Sequence, residues 1–147
     1  MPKSSVRFLL DVNVLVALAF PDHLSHKAAQ QWFAKTPDRL WATCPLTQAG
    51  FLRVAYSRLG KTHAALGAAL ASHERSCANP FHEFWPVDTD LRDLTENQRA
   101  RLIEHSQIAD MQLLMLACRH KGQLATFDTG LRVLASGTRY EHSLLIL

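Results

Sequence analysis

The segment Arg7-Phe8-Leu9-Leu10-Asp11-Val12-Asn13 decides the fold. Val6 to Leu10 is an apolar, β-rich run without polar alternation, the pattern of a strand buried on both faces of a parallel sheet. It stops on an aspartate, and Val14-Leu15-Val16-Ala17-Leu18-Ala19-Phe20 follows as a short helix ended by Pro21. The arrangement returns near the other end of the chain, where Gln123-Leu124-Ala125-Thr126-Phe127 reads as a strand running into Asp128.

Working outward, Ser25 caps a helix to about Lys35, with Ala28, Ala29, Trp32 and Phe33 spaced to face a core and Thr36-Pro37-Asp38 as its break. Leu40 to Cys44 reads as a strand ended by Pro45. Thr47 is then the expected N-cap of a helix carrying Phe51, Leu52, Val54, Ala55 and Leu59, with Gly60 as its stop. An Ala-rich helix opens at Thr62 or His63 and runs to about Arg75. Phe84-Trp85-Pro86-Val87 is a third strand, at an edge because of Pro86. Leu91 to Ile103 is a charged helix. Ser106 to His120 is a strongly apolar one, with Ile108, Met111, Met115 and Cys118 on a stripe that Leu113, Leu114 and Ala117 widen. Ser143 to Leu147 closes as a strand. This alternation predicts an α/β fold: a central, mainly parallel sheet of about five strands between helices, built as one domain over residues 1–147.

Composition agrees with that reading. At 147 residues, 48% hydrophobic and 20% charged, the chain has the balance of one soluble globular domain and excludes collagen, coiled coil and disulfide-stapled miniproteins. The formal charge of +3 permits nucleic acid as a partner without demanding it. Cys44, Cys77 and Cys118 form no C-x-x-C clamp, which points to a reducing cytoplasmic location. Charges interrupt the first apolar run too early for a signal peptide or a membrane span.

The chemistry is suggested by position. Open parallel sheets bind ligands at the carboxyl ends of their strands, and Asp11 and Asp128 both fall there. Each could simply cap the element that follows it, or both could hold a cation. Asp110 tips the balance: it is expected in the first turn of the apolar helix, between Ile108-Ala109 and Met111 and beside the core-facing stripe, where dipole complementarity explains its tolerance but less well its apolar neighbours. Three converging carboxylates repel one another unless a hard divalent cation neutralises them, and Mg²⁺ or Mn²⁺ suits an all-oxygen ligand set. Asn13 could add an amide to that shell or brace Asp11.

Other chemistries lack their parts. His23-x-x-His26 has no companion ligands for a closed zinc site. There is no G-x-S-x-G elbow, no Walker A run and no G-x-G-x-x-G.

The phrase Leu9-Leu10-Asp11-Val12-Asn13-Val14-Leu15-Val16-Ala17-Leu18 resembles the first motif of PIN-domain nucleases, in particular the VapC ribonuclease toxins of bacterial toxin–antitoxin pairs. His23, His26 and Trp32-Phe33, then Cys44-Pro45-Leu46-Thr47-Gln48-Ala49-Gly50-Phe51-Leu52-Arg53-Val54, then Gln107-Ile108-Ala109-Asp110 to Ala117, and finally Thr126-Phe127-Asp128 continue the likeness in order. The resemblance implies a three-layer PIN-like fold and a Mg²⁺-dependent endoribonuclease, with Mn²⁺ a possible substitute, in which metal-activated water attacks an RNA phosphodiester. It implies Asp11 and Asp110 as main metal ligands, Asp128 completing the acidic site, and Asn13 and Thr126 in support. At Gln48 many such proteins carry a glutamate, and an amide supplies neither charge nor base. A catalytically weak PIN-like RNA- or protein-binding domain is therefore the alternative, with a metal-dependent phosphatase or DNA nuclease third. Arg53 and Arg58 are candidate RNA contacts, with Lys61, Arg119 and Lys121 behind them. The resemblance further implies a cognate antitoxin and a homodimer. The Ala-rich helix and the helix before it would supply the surface for either.

Overall fold

β1 (Arg7–Leu10) takes the central place that its apolar composition demands, and Leu9 and Leu10 have no exposed surface. The computed structural model describes residues 6–35 and 40–147. After β1 come α1 (Val12–Ala19), α2 (His26–Ala34), β2 (Leu40–Thr43), α3 (Pro45–Arg58), α4 (His63–Cys77) and β3 (His82–Phe84). The second half holds α5 (Glu96–Ala100), α6 (Ser106–Arg119), β4 (Gln123–Thr126), α7 (Arg132–Ala135) and β5 (Leu144–Ile146). The strand order is β3-β2-β1-β4-β5, and all four pairings are parallel.

That order creates the crevice. The chain winds outward from β1 through β2 to β3, then returns to the other side of β1 to lay down β4 and β5. The winding direction reverses between β1 and β4, where parallel sheets leave a gap at their carboxyl ends. Asp11 and Asp128 follow those two strands.

Strand alternation divides the core into two layers. Phe8, Leu10, Trp41 and Ala125 point to one face and pack with Val14, Phe51, Ala55 and Ala69 of α1, α3 and α4. Leu9, Ala42 and Leu124 point to the other and pack with Met111, Leu113, Leu114 and Leu116 of α6 and with Leu134 of α7. The ring of Trp32 meets that of Phe8 edge-on at 5.2 Å, which brings α2 against the first layer.

Several boundaries differ from the sequence reading. α3 starts at Pro45, because proline suits the first helical position; Cys44 is the cap, and the Thr47 hydroxyl accepts the Cys44 N–H at 3.0 Å from inside the helix. β3 occupies 82–84 rather than 84–87: the Trp85 N–H still bonds the Thr43 carbonyl at 2.9 Å while its indole N–H goes to Glu83 at 2.9 Å, and Pro86, with no N–H to give, ends the ladder. The charged helix at 91–103 is broken: Asp90 caps a 3₁₀ turn at Leu91–Asp93, and Thr95 with Gln98 forms a capping box that opens α5. Within α6, Ile108 is 43% exposed and stands apart from the buried stripe that begins at Met111. A 3₁₀ turn (Thr129–Leu131) and α7 follow Asp128, where the sequence pattern signalled no element. The expected break at Thr36-Pro37-Asp38 lies outside the described residues. The three cysteines are free, and no helix among the described residues is long and apolar enough to cross a membrane.

Candidate active site

β1 delivers Asp11 one residue beyond the Leu10–Ala125 pair, with its backbone N–H still held by the Ala125 carbonyl at 3.0 Å. Asp11 is 8% exposed. Its Oδ1 accepts the Val12 N–H at 2.7 Å, the capping role that sequence allows, and its Oδ2 accepts the Thr126 hydroxyl at 2.8 Å. Burial pushes its pKa up, the two hydrogen bonds pull it partly back, and the charge of Asp128 adds a further push upward.

Thr126, at the end of β4, ties the site together. Its hydroxyl has one proton and two lone pairs, and all three are used. The proton goes to Asp11; the lone pairs accept the Asn13 side-chain amide at 3.1 Å and the Asp128 N–H at 3.1 Å. Asn13 is held from its other side, its Oδ1 accepting the Phe127 N–H at 3.2 Å. Two strand ends are thereby joined through side chains, and Thr126 is fully buried while doing so.

Asp110 enters from α6. It lies in the second turn, so neither helix capping nor the first-turn dipole accounts for a carboxylate there. Burial first, then the charges of Asp11 and Asp128, push its pKa up to about 6, and no hydrogen bond offsets them. The charges of Asp11 and Asp128 reach Asp110, so the three carboxylates share one electrostatic neighbourhood at the strand ends. Asp128 sits at the exposed mouth, where its Oδ1 caps the following 3₁₀ turn through the Gly130 N–H at 2.8 Å.

The donor set fits a hard divalent cation. The charges of Asp11 and Asp110 repel each other, and among the described residues no hydrogen bond claims either oxygen of Asp110. Among the described residues no three His, Cys, Asp or Glu side chains are grouped so as to hold a metal ion between them, so an ion at Asp11 and Asp110 would have to complete its shell with water.

Other sequence candidates are placed elsewhere. Gln48 gives its amide to the Thr43 hydroxyl at 3.1 Å, and Thr43 also meets His82 Nε2 at 2.8 Å. Thr43 follows Ala42 in the alternation of β2, so it faces the α3–α4 layer, opposite to Asp11. Arg58 ends α3, about 20 Å along the helix from Pro45; it pairs with Asp22 at 3.0 Å and lies over the Phe20 ring at 4.7 Å. Arg53 is exposed beside Leu52, Tyr56, His63 and Leu66. Arg119, at the far end of α6 from Asp110, pairs with Asp88 at 2.8 Å. His23 and His26 are tied locally, to the Ser25 N–H and the Ala17 carbonyl. Sequence reasoning passed over Gly50, where α3 and α1 come into close approach; the only signal was a glycine inside a helical pattern.

Comparison with known proteins gives one consistent answer. Residues 8–137 match the PIN domain family. Ribonuclease VapC39 of Mycobacterium tuberculosis is 40% identical over 129 residues, covering 87% of this chain and 93% of that protein. Ribonuclease VapC44 of the same organism is 38% identical over 135 residues, covering 88% and 92%. The crystal structure of Mycobacterium tuberculosis VapC20, described as a Sarcin-Ricin loop cleaving toxin, superposes with a TM-score of 0.61 over 95% of this chain and 98% of that one. At 17% identity that structure speaks for the fold. A parallel five-stranded sheet, a crevice at its reversal point lined by aspartates, and these relatives together place the chain in the PIN-domain family, among the VapC ribonucleases.

Proposed function

We propose that the chain is a Mg²⁺-dependent endoribonuclease, the toxin of a toxin–antitoxin pair, acting as a single nuclease domain over residues 1–147. The observation that carries this reading is the approach of Asp110 to Asp11 and Asp128 in a crevice where its carboxyl is pushed up to about 6. In this reading Asp11 and Asp110 hold the cation and Asp128 adds negative charge at the mouth. Mn²⁺ is an acceptable substitute for this oxygen set. When bound, the cation offsets phosphodiester charge and makes water a nucleophile at neutral pH.

The chain's own residues supply the positioning. The two hydrogen bonds to Asp11 favour its ionised form and fix the direction of its free lone pairs. Thr126 and Asn13 hold those bonds in register across the crevice, so little reorganisation is needed when the charged substrate arrives. Asp110 has no such donors, and the cation would supply the opposite charge that favours its ionised form. The antitoxin contact expected on α3 and α4 would meet the exposed side chains of Val54, Leu59, Leu66 and Leu70, and a second copy of the chain is the other occupant we expect there.

The test is cleavage of total cellular RNA by purified protein with Mg²⁺, with EDTA, and with Asp11→Asn or Asp110→Asn. Cleavage that needs the metal and both aspartates supports the reading. Cleavage surviving in EDTA or in either folded variant overturns it.

A further inference from the structure

Gly50 is the sixth residue of α3. Its backbone is helical and its φ is not positive, so it is not there for conformational freedom. A Cβ at this position would lie 2.5 Å from Val12 Cγ2, inside any normal contact, and 3.5 Å from Val12 Cγ1, an ordinary one. Gly67, in α4, would meet nothing within 4 Å. Two helical glycines therefore differ in kind: one occupies open space, and the other lets α3 touch the first residue of α1.

Val12 is also the residue whose N–H donates to Asp11 Oδ1 at 2.7 Å. As a β-branched side chain in a helix it is confined to essentially one rotamer, so a methyl group at residue 50 cannot be accommodated by rotation and must push the start of α1. The other anchor of Asp11, Thr126, belongs to β4 and does not travel with α1. A shift of α1 thus shears the two hydrogen bonds that orient one carboxylate.

We propose that Gly50 is a positioning residue for Asp11: the α3–α1 contact at Gly50 and Val12 sets where the Asp11 carboxylate points. The inference rests on Asp11 being a cation ligand. Purified Gly50→Ala, Gly50→Ala/Val12→Ala, Gly67→Ala and Asp11→Asn are compared for Mn²⁺ affinity by calorimetry, for Tm without metal, and for kcat and KM on RNA. Gly50→Ala is expected to weaken Mn²⁺ binding by about tenfold, the usual effect of disturbing a group that orients a metal ligand, and to lower kcat more than it raises KM. Adding Val12→Ala makes room for the methyl group and is expected to restore Mn²⁺ affinity to within about threefold. Gly67→Ala leaves Mn²⁺ affinity unchanged. If Gly50→Ala does not fold, Val12→Ile, which crowds the same contact less, carries the test with a smaller loss of affinity in the same direction. Wild-type Mn²⁺ affinity in Gly50→Ala or Val12→Ile overturns the proposal, as does a double variant that regains Tm without regaining Mn²⁺ affinity. Should Asp11→Asn itself bind Mn²⁺ normally, the underlying reading of the aspartates fails instead.

Discussion

Thr126 and Thr43 are a matched pair: each ends a central strand, each is fully buried, and each uses its hydroxyl to join two other side chains. Thr126 faces the α6 layer and hands its proton to the Asp11 carboxylate while holding Asn13 and the Asp128 N–H. Thr43 faces the α3–α4 layer, where it accepts from Gln48 and its proton is left for the ring of His82. The His82 ring lies tilted against that of Trp41 at 4.6 Å, and burial followed by the nearby charge of His73 holds its pKa down. One threonine therefore serves an acidic crevice and the other a neutral imidazole–amide cluster. The lesson is that strand parity, not residue type or distance along the chain, separates the acidic crevice from structural hydrogen bonding.

The largest expected effect tests the acidic side. Asp110→Asn should reduce RNA cleavage by at least about a hundredfold, since it removes charge that only a bound cation compensates, while Tm without metal holds or rises because repulsion from Asp11 and Asp128 is relieved. Cleavage assays and metal-free melting in parallel check both halves. A large Tm loss in the absence of metal would mean that Asp110 is structural.

The paired threonines come next. Thr126→Val should lower cleavage by about tenfold or more through loss of the Asp11 donor, whereas Thr43→Val should cost about 1–3 kcal/mol of stability and leave cleavage of the folded protein unchanged. Equal effects of the two on cleavage would erase the distinction.

Stability against pH separates the faces without any mutation. The folded pKa of Asp110 lies above its ordinary value of 3.8, so the folded state favours the protonated form; that contribution is present at low pH and lost as pH rises toward about 6. Mn²⁺ should therefore raise Tm more at pH 7.5 than at pH 5. His73 and His82 have folded pKa values below 6.5, so their contribution is present above 6.5 and lost as pH falls through the folded values. Acid destabilisation on that face should not respond to Mn²⁺, which melting curves at two metal concentrations would reveal.

Two smaller effects complete the comparison. Gln48→Glu places a carboxylate against Thr43 rather than among the aspartates, so cleavage should change by less than about threefold. A marked gain would put Gln48 back in the site. Gly67→Ala should stabilise α4 by about 0.5–1 kcal/mol, read by denaturant unfolding, because the new methyl group meets open space.

Much of the fold was legible in the sequence because buried parallel strands and amphipathic helices leave periodic signatures. β1, β2, β4 and α6 fall within a residue or two of their expected limits. Asp11 and Asp128 stood out because an aspartate directly after an apolar strand is costly without a partner, and Asp110 because it interrupts an apolar helix. Apart from the limits of β3, the misread boundaries are set by local capping: Pro45, Asp90 and Thr95 each open an element that hydrophobic periodicity does not mark.

The sequence by itself determined the element types, the parallel sheet and the three aspartates, since these depend on near-neighbour patterns and on the cost of burying charge. Only the tertiary structure decided the partners of each strand-end side chain, joining Thr126 to Asp11 and Thr43 to Gln48. It also decided that Arg58 is occupied by Asp22 and that Gly50 is fixed by contact with Val12. Apart from Gln48 and Thr43, five positions apart, the physical reason is that these facts belong to pairs of residues 36 to 115 positions apart. Only sheet register and helix packing bring such pairs together.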